Sequence, residues 1–172
     1  MSHTIGKHSR PAFSLVEILI VVVILGILAS IAIPKFANAS QSARESTLKE
    51  DLRLLRTQIG VYRTQHNEVN PGYPGGDLTQ NPTPQTLSDQ LTLYSDLAGN
   101  TSATGSSAYP WGAYVTTMPV NPVNNLATFK ILQPSDSNTP DGSTGWLYQP
   151  ASGMVWPNLV GADSTGRLFS DY

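Results

Sequence analysis

The chain of 172 residues carries 10 basic and 12 acidic side chains, which gives a net charge of −2, and it contains no cysteine. This length allows one small domain beyond a membrane segment. The acidic excess and the lack of a basic patch in the sequence disfavour a nucleic-acid-binding surface. Because cysteine is absent, disulfides, zinc ribbons and thiol chemistry are excluded. An exported domain this small must then be stabilised by its own packing, by a metal or by assembly.

The first twelve residues form a polar leader that contains Lys7 and Arg10 and no acid. Basic residues beside an apolar segment keep that side in the cytoplasm. The segment PAFSLVEILIVVVILGILASIAIPKF at 11–36, which begins with the last two residues of the leader, is long and apolar enough to cross a bilayer as a helix. Glu17 lies near its start, where a carboxylate opposes insertion by up to roughly 2.5–3.5 kcal/mol. An acid inside such a segment indicates a function beyond anchoring.

The leader, the residues FSLVE at 13–17 and the apolar run resemble the class III signal of type IV prepilins and type II secretion pseudopilins. In that family a membrane peptidase cuts before the Phe and methylates the new amino terminus. The resemblance implies cleavage between Ala12 and Phe13, with Ala12 standing where Gly is usual. It also implies that Glu17 pairs with the N-terminal amine of a neighbouring subunit. Such a pair neutralises two charges that are each costly in a low-dielectric setting.

Three other interpretations of the apolar segment are open. Ala37-Asn38-Ala39 looks like a signal-peptidase site and predicts a mature start at Ser40, although a secretory core is typically about 7–15 residues long and uncharged. An ordinary single-pass anchor leaves Glu17 unexplained. In an uncleaved chain, Glu17 could also reach the cytoplasmic interface.

The helix is predicted to continue beyond the membrane segment. Apolar or aromatic residues recur there at spacings of three and four, at Leu48, Leu52, Leu55, Ile59, Tyr62 and His66. We therefore expect one helix over about 13–66, whose stripe holds the sheet of the same subunit. Pro34 removes a backbone donor inside this helix. It predicts either a kink at the membrane exit or, as the resemblance implies, local unwinding in an assembled filament.

The remaining elements are short. The turn-rich segment 67–76 ends the long helix, and a second helix is predicted from Pro84 with Thr83 as its N-cap. Residues 98–112 are predicted to form a flexible surface loop. Strand patterns occur at 127–132, 145–149 and 154–156, with a hairpin at 150–153 and a last short piece at 167–169. The predicted fold class is α+β: a long N-terminal helix packed on a small C-terminal antiparallel β-sheet.

The sequence contains no catalytic constellation. Motifs of serine hydrolases, zinc proteases, P-loop proteins and dinucleotide-binding proteins are all missing. His66, the one His beyond the leader, lies on the helix stripe, where a packed role is expected. We therefore predict a protein that is not an enzyme. A membrane-anchored enzyme or binding domain is kept as an alternative.

The C-terminal segment 159–172 resembles a shortened version of the calcium loop of major type II pseudopilins. Asp163, Ser170 and Asp171 occupy the matching positions and offer the hard oxygen ligands that calcium needs. Arg167, inside the same segment, is unfavourable for a cation. The resemblance implies calcium as a candidate ligand, and solvated turn formers are the alternative for the two carboxylates.

The order of elements resembles that of a major pseudopilin: long helix, Tyr-Pro turn, short helix, Pro-rich crossing segment at 118–122 and a small C-terminal sheet. The resemblance implies a cleaved leader at 1–12, a transmembrane and assembly helix at 13–34 and its amphipathic continuation at 35–66. A periplasmic globular region then covers 67–172.

The function that this resemblance implies is that of a structural subunit of a pilus-like filament that drives type II secretion across the outer membrane. The alternative is a type IV pilin for adhesion, motility or DNA uptake. The implied partners are other pilin-like subunits, the prepilin peptidase, an inner-membrane assembly platform and the membrane, with no nucleic acid as primary partner. The chain is expected to be a single-pass inner membrane protein with a cytoplasmic N-terminus and a periplasmic C-terminal domain, later assembled in a filament.

Overall fold

A computed structural model describes residues 14–172. Helix α1 spans Leu15–Gln65, which confirms the predicted long helix to within two residues at each end. The chain divides into two units, Met1–Ser40 and Gln41–Tyr172, and the boundary falls within α1. Of the first unit, residues 14–40 are described.

The apolar stripe of α1 forms one wall of the core of the second unit. Its five members from Leu48 to Tyr62 are at most 2% exposed. Burying each of these side chains stabilises the fold by about 1.5–3 kcal/mol. The stripe packs in one cluster with side chains from the rest of the unit, among them Leu87, Leu91, Phe129, Trp146, Tyr148, Val155 and Phe169. The predicted packing of the stripe on the sheet is confirmed.

Helix α1 ends where the backbone turns left-handed. Asn67 and Glu68 have φ angles of 52° and 62°, and the Glu68 amide donates to the Arg63 carbonyl at 3.0 Å. A non-glycine residue in this region cannot continue a right-handed helix. The chain then passes through a short 3₁₀ turn at Pro74–Gly76. The predicted end of the long helix is thus confirmed.

Helix α2 spans Pro84–Thr92. The Thr83 hydroxyl accepts a hydrogen bond from the Thr86 amide at 3.0 Å, so Thr83 is the predicted N-cap and Pro84 opens the helix. Leu87 and Leu91 turn inward and are fully buried in the core cluster. This small helix is therefore held by its cap and by two apolar anchors.

A two-stranded antiparallel sheet follows α2. Strand β1 is Tyr94–Ser95 and strand β2 is Thr101–Ser102. The prediction of a plain surface loop over 98–112 is wrong in this respect. Ser95 also bridges to Trp111, and the Ser95 amide donates to the Trp111 carbonyl at 2.7 Å. Backbone pairing with partners distant in sequence organises a segment whose composition favours a loop.

The larger sheet is mixed. Strands β3, β4 and β5 are Phe129–Ile131, Trp146–Gln149 and Met154–Pro157, in the spatial order β3-β4-β5. Strands β4 and β5 form the predicted hairpin, but β3 and β4 run parallel. The long connection between β3 and β4 lets the chain cross over and return in the same direction, whereas a tight hairpin forces antiparallel pairing. The α+β class is confirmed, and the predicted all-antiparallel pairing is corrected.

The predicted last strand at 167–169 is also absent. Leu168 makes only an isolated bridge to Ala162, and Phe169–Asp171 form a 3₁₀ turn. The Phe169 amide donates to the Gly161 carbonyl at 3.1 Å, so the segment closes on itself as a loop. This C-terminal loop carries Asp163, Ser170 and Asp171, the residues predicted as calcium ligands.

Candidate functional site

The apolar part of α1 is exposed on every side. The large apolar side chains from Leu15 to Phe36 are between 48% and 83% exposed. An 18-residue window of this helix has a mean hydropathy of 3.0, and none of it is buried in the protein. A helix that is apolar all round belongs in lipid or against other apolar helices. By length and composition this one can cross a membrane.

Glu17 lies in the first turn of α1 and is exposed. Its backbone amide donates to the Ser14 carbonyl at 3.1 Å. Within residues 14–172 no cationic side chain pairs with its carboxylate. The helix N-terminus itself favours a nearby negative charge, but that partial charge does not neutralise an acid in lipid. The predicted processing residues Ala12 and Phe13 lie outside the described residues.

Pro34 lies inside α1, and the helix runs through it. Since Pro has no N–H, the Ser30 carbonyl four residues earlier loses its usual helical donor. The Ser30 hydroxyl donates to the Ile27 carbonyl at 2.7 Å, one turn back. This weak point in the backbone ladder is compatible with either interpretation of Pro34.

Asp163 is the centre of the C-terminal loop. It is only 7% exposed. One oxygen accepts hydrogen bonds from the Thr165 amide, the Thr165 hydroxyl and the Arg167 amide, at 2.6–3.0 Å. The other accepts from the Tyr172 hydroxyl and lies 3.6 Å from Lys49 Nζ. The Thr165 and Tyr172 hydroxyls hold the pKa of Asp163 well below its usual range.

This arrangement offers calcium few open oxygens, and a calcium site at Asp163, Ser170 and Asp171 stays a prediction. Both oxygens of Asp163 already accept hydrogen bonds from protein donors, and the ammonium of Lys49 lies beside one of them. Asp171 is engaged through its carbonyl by the Arg167 guanidinium, and the Ser170 hydroxyl lies 3.4 Å from an Asp171 carboxylate oxygen. Across residues 14–172, no group of three or more His, Asp or Glu side chains could hold a metal ion. A calcium ion would have to displace two cations and rearrange the donors around Asp163.

A second buried carboxylate, Glu45, fastens the same loop to α1. Glu45 accepts hydrogen bonds from the Ser164 amide at 2.9 Å and from the Ser164 hydroxyl at 2.5 Å. These bonds lower the pKa of Glu45. The sequence pattern did not predict this contact. One signal for it exists, because Glu45 precedes Leu48 by three residues and so continues the buried stripe.

His66 has the packed role that the sequence predicted. Its ring is buried and stacks on Tyr62 with 3.7 Å between ring centroids. Nδ1 lies 2.7 Å from the Tyr62 carbonyl and therefore donates, which leaves Nε2 to accept from the Ser95 hydroxyl at 3.0 Å. Burial lowers the pKa of His66. The ring is thus packed between the end of α1 and β1, where burial disfavours its charged form.

Residues 7–33 match the family model of the prokaryotic N-terminal methylation motif. Type II secretion system core protein G of Aeromonas hydrophila is 25% identical over 128 residues, which cover 74% of this chain and 76% of that protein. Core protein G of Dickeya chrysanthemi is 32% identical over 78 residues, which cover 45% of this chain and 51% of that protein.

Competence protein ComGC of Halalkalibacterium halodurans is 31% identical over 62 residues, which cover 36% of this chain and 61% of that protein. The chain therefore spans from about half to three quarters of these curated relatives. No solved structure matches it significantly.

Proposed function

We propose that this chain, which carries the N-terminal methylation motif and is homologous to type II secretion core protein G, is the major pseudopilin of a type II secretion system. It polymerises into a pilus-like filament that acts in protein export across the outer membrane. The protein is structural, and its apolar helix is both its membrane anchor and its assembly surface.

The observation that carries this proposal is the pairing of an exposed apolar helix with an acid that has no cationic partner in residues 14–172. Lipid alone covers the apolar side chains, but placing the charge of Glu17 in lipid remains unfavourable. A filament satisfies both, since neighbouring helices cover the apolar surface and a neighbouring amine reaches the carboxylate. A plain anchor explains only half of this arrangement.

The proposed processing supplies that amine. Cleavage between Ala12 and Phe13 by a prepilin peptidase leaves an N-methylated Phe13 four residues before Glu17. It also removes Lys7 and Arg10, so the mature chain has 8 basic and 12 acidic residues. Before assembly, the leader side faces the cytoplasm and the region from 67 onward faces the periplasm. Pro34 gives the helix a place to unwind as subunits pack.

Replacing Glu17 tests the proposal. In Glu17→Ala the subunit should insert at least as well as the wild type, because a costly charge is gone. Filament assembly in cells that carry the secretion machinery should fall sharply. Glu50→Ala is the matched control, since Glu50 is an exposed acid on the same helix. Sheared filaments counted by electron microscopy and membrane-fraction immunoblots give the two readouts. Normal filaments from Glu17→Ala would remove the role assigned to this acid.

A second candidate function is that of a pilin-like subunit for DNA uptake, favoured by the similarity to a competence protein. The two functions separate when the gene is deleted. Type II secretion predicts that exported proteins accumulate inside the cell while transformation is unchanged. Loss of transformation with normal export would favour the second candidate.

A further inference from the structure

A positively charged cleft lies on the second unit, between α1 and the C-terminal loop. Its volume is about 210 Å³, and it is lined by Lys49, Leu52, Arg53, Arg56, Arg167 and Tyr172. The unit as a whole is acidic, with seven basic and eleven acidic side chains over 41–172. Four of those seven basic side chains therefore line one small cleft. Such a concentration of like charge opposes folding unless something compensates for it.

Two of the four cations are fixed in place by main-chain oxygens. Arg56 donates through Nε and Nη2 to the Val155 carbonyl, at 3.2 and 2.6 Å, and through Nη2 to the Tyr172 oxygen at 2.7 Å. Arg167 donates to the Asp171 carbonyl. Burial and the nearby Arg167 charge lower the pKa of Arg56. The two guanidiniums thus repel each other, and the main-chain oxygens hold them in position without supplying a counter-charge for each.

The acid beside the cleft does not neutralise it either. Asp163 lies 3.6 Å from Lys49, but its side chain is only 1% exposed. Its oxygens already accept three hydrogen bonds from Thr165 and Arg167 and a fourth from the Tyr172 hydroxyl. Lys49 itself is half exposed and stands 5.0 Å from the centre of the Tyr172 ring. Arg53 is exposed and has no hydrogen bond or ion pair among the described residues. The cleft therefore holds cationic groups that still have capacity for an anion.

We propose that this cleft binds a carboxylate side chain of a second copy of the chain. The occupant follows from charge complementarity, since the acids that outnumber the bases lie mostly elsewhere on the same unit and are presented by every neighbouring copy. Guanidinium groups suit this role because their planar forks bind carboxylates in two-point geometry. The inference rests on the proposed filament, and it adds a polar contact in the globular unit to the apolar contacts of α1.

Arg53 is the most informative position to replace, because among the described residues it has no hydrogen bond or ion pair to lose. Arg53→Glu should leave the unit folded and should reduce filament yield by roughly tenfold, since a carboxylate then meets a carboxylate. Arg44→Glu is the matched control: Arg44 is exposed on the same helix, and nine residues at about 100° each place it on the opposite side. Full-length variants are compared for filament yield, with the melting midpoint of the detergent-solubilised chain as the folding check.

A photo-crosslinking amino acid at position 53 of the full-length chain identifies what occupies the cleft in assembled filaments. The expected product is a dimer of this chain, cross-linked at a peptide that contains an exposed Asp or Glu. Cross-links to lipid, to a different protein or to no partner would overturn the proposal, as would an Arg53→Glu yield equal to that of Arg44→Glu. If the wild type itself forms no filaments, the proposed function fails; if it does and Arg53→Glu does equally well, only this inference fails.

Discussion

The two units of the chain use apolar side chains in opposite ways. Over residues 14–40, the large apolar groups are about half exposed or more, and the one acid among them has no cationic partner in the described residues. Over residues 41–172, the apolar stripe of the same helix is buried and the acids Glu45 and Asp163 are held by several donors. One continuous helix thus serves two environments. The first unit is incomplete without lipid or other subunits, whereas the second buries its own apolar stripe and supplies donors for these two acids.

The largest expected difference between the units lies in the cost of removing an apolar side chain. Leu55→Ala, in the core, should destabilise the second unit by about 2–5 kcal/mol, because it loses buried surface and leaves a cavity. Leu25→Ala, in the exposed segment, should leave that stability unchanged. Chemical denaturation of both variants in detergent, followed by tryptophan fluorescence, to which the buried Trp146 contributes, measures this loss of stability. Equal losses would contradict the division of roles.

Lowering the pH is expected to have a smaller effect on the stability of the second unit. The pKa values of Glu45 and Asp163 are lower in the folded chain than in the unfolded chain. The two carboxylates therefore stabilise the fold above the unfolded pKa values of about 4, and this stabilisation is lost as the pH falls below those values. Melting midpoints should therefore decline from about pH 5 downward, and more steeply in the wild type than in Asp163→Asn. Glu50→Gln, at an exposed acid on the same helix, is the control that should keep the wild-type slope. Parallel curves for all three would show that Asp163 contributes nothing to the acid response.

The N-cap of α2 is another place where the second unit supplies a hydrogen-bond partner from its own residues. Thr83→Ala should cost about 1 kcal/mol, because the Thr86 amide loses its acceptor. Thr83→Ser keeps the hydroxyl and should restore most of the stability. Urea denaturation resolves such a difference, and identical midpoints for both variants would mean that the cap is without effect.

Calcium is expected to have the smallest effect. A ligand that binds only the folded state at one hundred times its Kd adds about 2.7 kcal/mol to stability. Because the donors around Asp163 are already engaged, we expect the melting midpoint to be the same in millimolar calcium and in chelator. A rise in midpoint with calcium that disappears in Asp163→Ala would restore the calcium loop that the sequence suggested.

Local patterns in the sequence predicted what depends on near neighbours. The stripe from Leu48 to Tyr62, the Thr83 cap and the 150–153 hairpin each follow from residues a few positions apart. Contacts between distant residues were not predictable in this way. Ser164 binds Glu45 from 119 positions away, and the parallel pairing of β3 with β4 depends on the path of a long connection.

Polar side chains with several partners were equally hidden. Gln90 lies on the inner face of α2, where its position alone predicts little. In the fold its amide accepts from the Gly72 amide and donates to the Tyr73 and Gly99 carbonyls. The basic cleft was invisible for a similar reason, since Arg167 joins Lys49, Arg53 and Arg56 only when the C-terminal loop closes on α1.

The mature N-terminus tests the central claim most directly. Intact-mass measurement of the protein extracted from native membranes reports where the chain begins and whether it is methylated. The account predicts a chain that starts at Phe13 and carries one N-methyl group, with Glu17 four residues inside. A chain that starts at Ser40, or one that keeps the leader in assembled material, would contradict it.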